Sequence, residues 1–209
     1  MSNVYLVRHG ETDWNKEDRC QGCIDIDLNS VGVQQARVVA ERLYKDEIHS
    51  IYCSNLKRAY RTAEIIAKKC DFSITKSEAL NEIHFGDWEG LTFEEMRKRP
   101  DYDYSAWRLS PHTASFPGEG SLINVQKRVM KYVDEIIIKD LGKNILIVSH
   151  GGVIKLIVLG LLGIDLEAYN KFYIANTSVS IVKIEKDRRY LRTLNDTCHV
   201  SGVLDRRHF

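Results

Sequence analysis

The 209-residue chain lacks any real excess of charge: 30 lysines and arginines face 29 aspartates and glutamates, for a formal net charge of +1. So balanced a chain gives no long-range electrostatic reason to expect a nucleic acid or an anionic membrane as a partner. Long hydrophobic runs are missing too. The longest apolar stretch, Val153 to Leu162, is interrupted by Lys155 and falls far short of the roughly 20 residues that cross a bilayer. Met1-Ser2-Asn3 leads directly into apolar sequence, without the basic flank and apolar segment of a secretory signal, so a cytoplasmic protein is expected. Cysteines are few and odd in number, Cys20, Cys23, Cys53, Cys70 and Cys198, which suits a reducing compartment better than a disulfide framework. The Cys20-Gln21-Gly22-Cys23 pair sits in a polar loop, with neither the helix start of a redox pair nor two further zinc ligands at matching spacing. It reads as loop thiols. Repeats, low-complexity tracts and linkers are absent, and a single domain over residues 1–209 is expected.

What is present is an alternation of short apolar runs with amphipathic stretches, which predicts an α/β three-layer sandwich: a mostly parallel central sheet with helices on both faces. Val4–Val7 and Ile145–Val148 are continuous apolar runs of strand length, as central strands covered on both sides require. Ser50–Cys53 and Ser73–Lys76 read as shorter strands, and Val179–Ile184 with Tyr190–Leu194 as a hairpin about a polar Glu185–Arg189 turn. Helical spacing links Ala36, Val39, Ala40, Leu43 and Tyr44; Leu56, Ala59, Tyr60, Ala63, Ile66 and Ala67 behind an expected Ser54 N-cap; and Leu122, Val125, Val129, Val133, Ile136 and Ile137 behind Ser121. A fourth helix, Gly152 to Leu162, is apolar nearly all round and is expected to be buried.

The stretch from Leu80 to Gly120 breaks this rhythm. It holds all three prolines, Pro100, Pro111 and Pro117, together with Trp88 and Trp107. An insertion of that length is expected to be a lid that sets substrate specificity. Tyr102, Tyr104, Trp107 and His112 could line the cavity beneath it or pack the lid itself.

The most informative feature is a repeated context. One central strand ends Val7-Arg8-His9-Gly10 and another ends Val148-Ser149-His150-Gly151. Ligands of open α/β sheets bind outside the carboxyl ends of strands, so His9 and His150 could converge there. Gly10 and Gly151 permit tight exit turns and close approach of backbone N–H groups to an anion. A third strand end leads into a helix carrying Arg58 in its first turns. With Arg8 beside His9, two arginines and two histidines are expected around one pocket, a combination that suits phosphate.

These residues form a recognisable pattern. Leu6-Val7-Arg8-His9-Gly10-Glu11-Thr12-Asp13-Trp14-Asn15 resembles the signature of the histidine phosphatase superfamily, the phosphoglycerate mutase-like family. The resemblance continues in order through Gln21-Gly22, Asp27-Leu28-Asn29, Ser54 to Ala59 with Thr62-Ala63, Glu82 with Phe85 to Gly90, and Val148 to Gly152. By that resemblance His9 is phosphorylated, Glu82 is the proton donor, and Arg8, Asn15, Arg58, His150 and the Gln21-Gly22 turn hold the phosphoryl oxygens. No metal or other cofactor is implied. Imidazole suits the nucleophile, since a reference pKa of about 6.5 leaves it largely neutral near pH 7, and cationic neighbours favour that form further.

The resemblance implies hydrolysis of a small phosphomonoester, because Phe85 to Thr92 and Gln21-Gly22 look like the phosphatase branch. Leu194 to His199 is similar to tails of α-ribazole phosphatase-like members, which makes α-ribazole 5′-phosphate or a related metabolite the first substrate to consider. The alternatives are a cofactor-dependent phosphoglycerate mutase and a non-catalytic phospholigand-binding protein. A metal hydrolase using His9, His150 and a carboxylate is disfavoured by the lack of a His-Glu-x-x-His spacing. Pro117-Gly118-Glu119-Gly120-Ser121 departs from the family's Gly-Gly-Glu-Ser run, so no substrate contact is carried over from it. Oligomeric state is left open, with a homodimer among the options.

Overall fold

The computed structural model describes residues 2–70, 72–99 and 104–200. Pro100 and Tyr102 of the expected lid lie outside them. Among the described residues the strands are β1 (Ser2–Arg8), β2 (Ser50–Ser54), β3 (Ile74–Ser77), β4 (Ile145–Ser149), β5 (Val179–Ile184) and β6 (Arg189–Asp196). The helices are α1 (Asp13–Lys16), α2 (Ser30–Leu43), α3 (Lys57–Cys70), α4 (Phe93–Lys98), α5 (Tyr104–Leu109), α6 (Leu122–Lys139) and α7 (Gly151–Leu162).

The strands form one sheet in the order β3-β2-β4-β1-β5-β6. The pairs β3·β2, β2·β4 and β4·β1 are parallel; β5 is antiparallel to β1 and closes a hairpin with β6. The continuous apolar runs have the expected cause. In β1, Val4 and Leu6 enter the core beneath α6 and α7, whereas Tyr5 and Val7 enter the core beneath α2 and α3. In β4, Ile145 and Ile147 belong to the first core and Leu146 and Val148 to the second. A strand buried on both faces has no polar side to show.

Most expected boundaries agree within a residue or two. The larger shift is α2, which begins at Ser30, six residues before the first periodic residue, Ala36. Asn29 caps it, its Oδ1 accepting from Gly32 N at 2.8 Å. The first turn buries Gly32 and Gln35, residue types that an apolar pattern does not flag. Ser121 caps α6 as expected, accepting from Asn124 N. Ser54 is a correction: it ends β2, and α3 begins only at Lys57, whose N–H donates to Asp25 Oδ1 at 2.7 Å. Ser54 Oγ accepts from Leu56 N at 3.1 Å, a turn ahead of α3 and not a cap on its first-turn amides.

The inserted segment carries α4, α5 and a single turn at Gly86–Trp88. Phe85, Trp88, Trp107 and Phe116 form its aromatic core, with ring centroids 5.2 Å apart for Phe85 and Trp107 and 5.3 Å for Trp107 and Phe116. Trp88 and Tyr104 are buried in the same core as α6 and α7. No helix among the described residues is long and apolar enough to cross a membrane.

Candidate active site

Parallel pairing sets β1, β2 and β4 side by side with their carboxyl ends on one edge; Arg8 pairs with Ser149 and Cys53 with Val148. The chain therefore delivers Arg8-His9, Ser54 and Ser149-His150 to one place. The rings of His9 and His150 lie 5.1 Å apart, centroid to centroid. His9 is 2% exposed and His150 and Arg58 are fully buried.

Each imidazole has its tautomer set by a neighbour. His9 Nδ1 lies 2.7 Å from Gly10 O. A carbonyl only accepts, so Nδ1 carries the proton and Nε2 keeps the lone pair. For His150 the logic runs through three residues. Asn55 N–H donates to Asn81 Oδ1 at 2.9 Å, which identifies that atom as the amide oxygen, and the Ser54 hydroxyl donates to it at 2.7 Å. Ser54 Oγ then accepts from His150 Nε2–H at 2.8 Å. His150 Nδ1 is left as a buried acceptor without a partner among the described residues. Burial holds both imidazoles well below their usual pKa, with Arg58 and Arg8 adding to the effect. The expected neutral form of His9 is thus present, though desolvation contributes more than the cationic neighbours.

Loop geometry around His9 is dictated by close approach. A Cβ on Gly10 would lie 2.4 Å from Gly32 O, so only glycine lets the exit turn pack on α2. Thr12 caps α1 in a reciprocal box with Asn15. Asn15 Oδ1 accepts from Thr12 N at 3.1 Å and from Asn176 Nδ2 at 3.3 Å, which turns the amide NH2 end to other partners. Gln21 is held the same way, its Oε1 accepting from the Thr12 hydroxyl at 3.0 Å. Gly22 adopts φ +49, and its carbonyl accepts from Arg58 Nη2 at 2.6 Å while Ile24 O accepts from Nη1 at 2.8 Å. Among the described residues Arg58 Nε and Arg8 Nε are buried without partners. Desolvation lowers Arg58 to about 10, against the opposing pull of Glu82; it remains a cation at neutral pH.

Arg8, His9, Asn15, Gln21, Gly22, Arg58 and Glu82 all line one cavity of about 200 Å³. Glu82 sits between two backbone amides, Ile83 N donating to Oε1 at 3.1 Å and Gly152 N to Oε2 at 3.3 Å. Two expectations need adjustment. Gly151 is not in the cavity wall; a Cβ there would rest against the Arg8 guanidinium, and the wall position belongs to Gly152. His150 also lies behind the wall, packed on His9.

Trp107 both lines the cavity and packs the inserted segment, whereas Tyr104 packs that segment's core and His112 lies outside the cavity, 3.9 Å from Glu167. Cys20 lines the cavity and Cys23 Sγ–H donates to Glu82 O at 3.3 Å. Both are free thiols, pushed up mainly by burial to about 12 and about 11. They are neutral near pH 7 and poor nucleophiles.

Sequence reasoning missed Arg19, Phe93, Met96 and Tyr169 in the cavity wall. It missed the Ser54–Asn81 pair as well. The Thr12-x-x-Asn15 box was a local signal that could have been read; Tyr169 lies in a stretch with no periodicity to mark it.

This arrangement can hold a phosphoryl group against an unprotonated imidazole nitrogen, flanked by guanidinium groups and a carboxyl. Comparison with known proteins agrees. Phosphoserine phosphatase 1 of Hydrogenobacter thermophilus is 34% identical over 200 residues, covering 96% of this chain and 95% of that protein. The crystal structure of a phosphoserine phosphatase mutant from Entamoeba histolytica in complex with phosphoserine superposes with a TM-score of 0.86 at 34% identity, covering 96% of this chain and 100% of that one. A putative alpha-ribazole-5′-P phosphatase from Escherichia coli superposes with a TM-score of 0.84 at 29% identity, covering 94% and 98%. The family model of the histidine phosphatase superfamily, branch 1, matches residues 4–197, and with these relatives it makes the chain a member of that superfamily and a phosphoric monoester hydrolase.

Proposed function

We propose that the chain hydrolyses a small phosphomonoester through a phosphohistidine on His9. The observation that carries this reading is the tie of His9 Nδ1–H to Gly10 O, which leaves Nε2 as the nucleophilic nitrogen in a cavity shared with Arg8, Arg58 and Glu82.

In the first step His9 Nε2 attacks phosphorus. The bond from phosphorus to the ester oxygen breaks, and Glu82 gives its proton to the departing alcohol. Arg8 and Arg58, with the amide groups of Asn15 and Gln21, stabilise charge on the three equatorial oxygens, which is most of what a protein contributes to phosphoryl transfer. His150 enters with Nδ1 unprotonated, so it helps only after taking a proton. In the second step water attacks the phosphohistidine, Glu82 takes its proton, and the P–N bond breaks to release inorganic phosphate.

For the substrate we favour one of phosphoserine size. Two of the relatives above are phosphoserine phosphatases, and the cavity of about 200 Å³ beside His9 suits a small phosphorylated group. α-Ribazole 5′-phosphate has the Escherichia coli neighbour in its favour, at 29% identity against 34% for the phosphoserine phosphatase. The tail that suggested it is engaged internally: His199 Nε2 lies 3.0 Å from Thr177 O, and Asn195 Oδ1 accepts from Ala175 N at 2.6 Å.

The test is a turnover screen over phosphoserine, 3-phosphoglycerate with and without its bisphosphate, and α-ribazole 5′-phosphate, with rapid acid-free quench to trap labelled phosphate on histidine. Release of inorganic phosphate with label on His9 is expected. Isomerisation of 3-phosphoglycerate without phosphate release would favour the mutase, and binding without turnover the non-catalytic protein.

A further inference from the structure

Next to the catalytic cavity lies a second of about 480 Å³. Phe93 and Trp107 line both, so the two are neighbours sharing these rings. Arg108, Lys155 and Lys171 line the second cavity, and among the described residues it has no carboxylate in its wall. Arg108 and Lys171 are exposed and belong to its solvent side.

Lys155 is different. It is the only charged residue of α7, a helix that otherwise buries Val153, Ile154, Leu156 and Ile157 around it. Its Nζ lies 4.8 Å from the ring centre of Tyr169, a residue of the catalytic cavity, and 6.0 Å from that of Phe172. Aromatic faces attract the charge but accept none of the three ammonium N–H bonds in the ordinary way. Among the described residues no carboxylate pairs with it. A half-buried cation without a counter-ion costs stability, a cost that a bound anion would offset. Burial lowers it to about 8, with Arg8 adding to the shift and Glu82 opposing it; it is still mainly a cation at neutral pH.

We propose that this second cavity is a subsite for a second anionic group of the substrate, a carboxylate or a further phosphate, with Lys155 as its principal cation. The proposal rests on the phosphatase reading above. It makes Lys155 a specificity-determining residue rather than a catalytic one: it acts on the distal end of a substrate whose phosphate lies against His9.

Matched substrates test it. 3-Phosphoglycerate and glycerol 3-phosphate differ by a carboxylate, and fructose 1,6-bisphosphate and fructose 6-phosphate by a phosphate. Steady-state kinetics of the full chain and its Lys155→Met and Lys155→Arg variants would be measured on both pairs. The full chain is expected to prefer the doubly anionic member of at least one pair by about ten-fold or more in kcat/KM, mainly through KM. Lys155→Met collapses that ratio toward one, and Lys155→Arg restores part of it. Which pair responds distinguishes carboxylate from phosphate. If Lys155→Met fails to fold, by its circular dichroism and melting curve, the exposed Arg108→Met/Lys171→Met double variant takes its place, with a collapse of about three-fold expected. Turnover of all four substrates with ratios that the substitutions leave unchanged overturns the subsite and spares the phosphatase reading. A full chain that hydrolyses no phosphomonoester overturns both.

Discussion

The imidazoles of His9 and His150 stand 5.1 Å apart with their planes tilted by 59°, delivered by two adjacent parallel strands from positions 141 residues apart in the chain. Neither ring can be charged cheaply there, because both are buried beside Arg58 and Arg8. Five expectations follow from this pair and its surroundings.

His9→Asn is expected to remove turnover, with kcat down by about 10⁴-fold or more and no label trapped on the protein. Glu82→Gln should lower kcat for phosphoserine by about 10²–10⁴-fold, the usual worth of a general acid. Its effect on p-nitrophenyl phosphate should be far smaller, since that leaving group needs no proton. Equal losses on the two substrates would exclude Glu82 as the donor.

Acid should destabilise the fold through the two histidines. Both are held below the usual 6.5 in the folded chain, so as pH falls through about 6.5 the unfolded chain takes up protons that the folded one refuses. Stability is therefore fully present above that pH and is lost below it, at up to about 1.4 kcal/mol per pH unit for each ring. Urea midpoints at pH 7.5 and pH 5 check this, and His9→Asn should shrink the difference. The same difference in variant and parent would mean that the ring titrates normally.

Ser54→Ala takes away the acceptor of His150 Nε2–H, 2.8 Å away. A buried donor left unsatisfied costs about 1–3 kcal/mol, and the imidazole is then free to adopt the other tautomer. Melting temperature and kcat/KM should both fall, the latter by about ten-fold, with Ser54→Thr recovering much of the loss. A variant as active and as stable as the parent would show that the Ser54–Asn81 pair does not orient His150.

Gly10→Ala would drive a Cβ to 2.4 Å from a backbone oxygen, Gly32 O, where no side chain can yield. Overpacking of this kind costs about 1–3 kcal/mol or more, which in a chain of this size lowers the melting temperature by about 2–4 °C for each kcal/mol. Activity should fall too, because the moving carbonyl is the one that holds His9 Nδ1. Calorimetry together with phosphoserine turnover measures both effects.

Much of this molecule was readable in one dimension because the relevant forces are local or periodic. Val4–Val7 and Ile145–Val148 declared themselves as central strands because both faces of each are buried, and the His-Gly at each strand end followed from where such strands leave a sheet. Arg58 was readable because the first turn of a helix after a strand points at the same edge. Ser54 misled for the same reason that Ser121 did not. Each is a serine ahead of an apolar helix, but Ser54 reaches only Leu56 N of its own neighbourhood, and its hydroxyl also joins His150 and Asn81, 96 and 27 residues away, which no neighbour in the chain announces. Tyr169 and Lys155 meet in the same way, through the packing of a loop against α7. Periodicity and capping are written in adjacent residues; which imidazole nitrogen keeps its proton, and which lysine faces aromatic rings instead of a carboxylate, depends on atoms that come together only when the sheet closes.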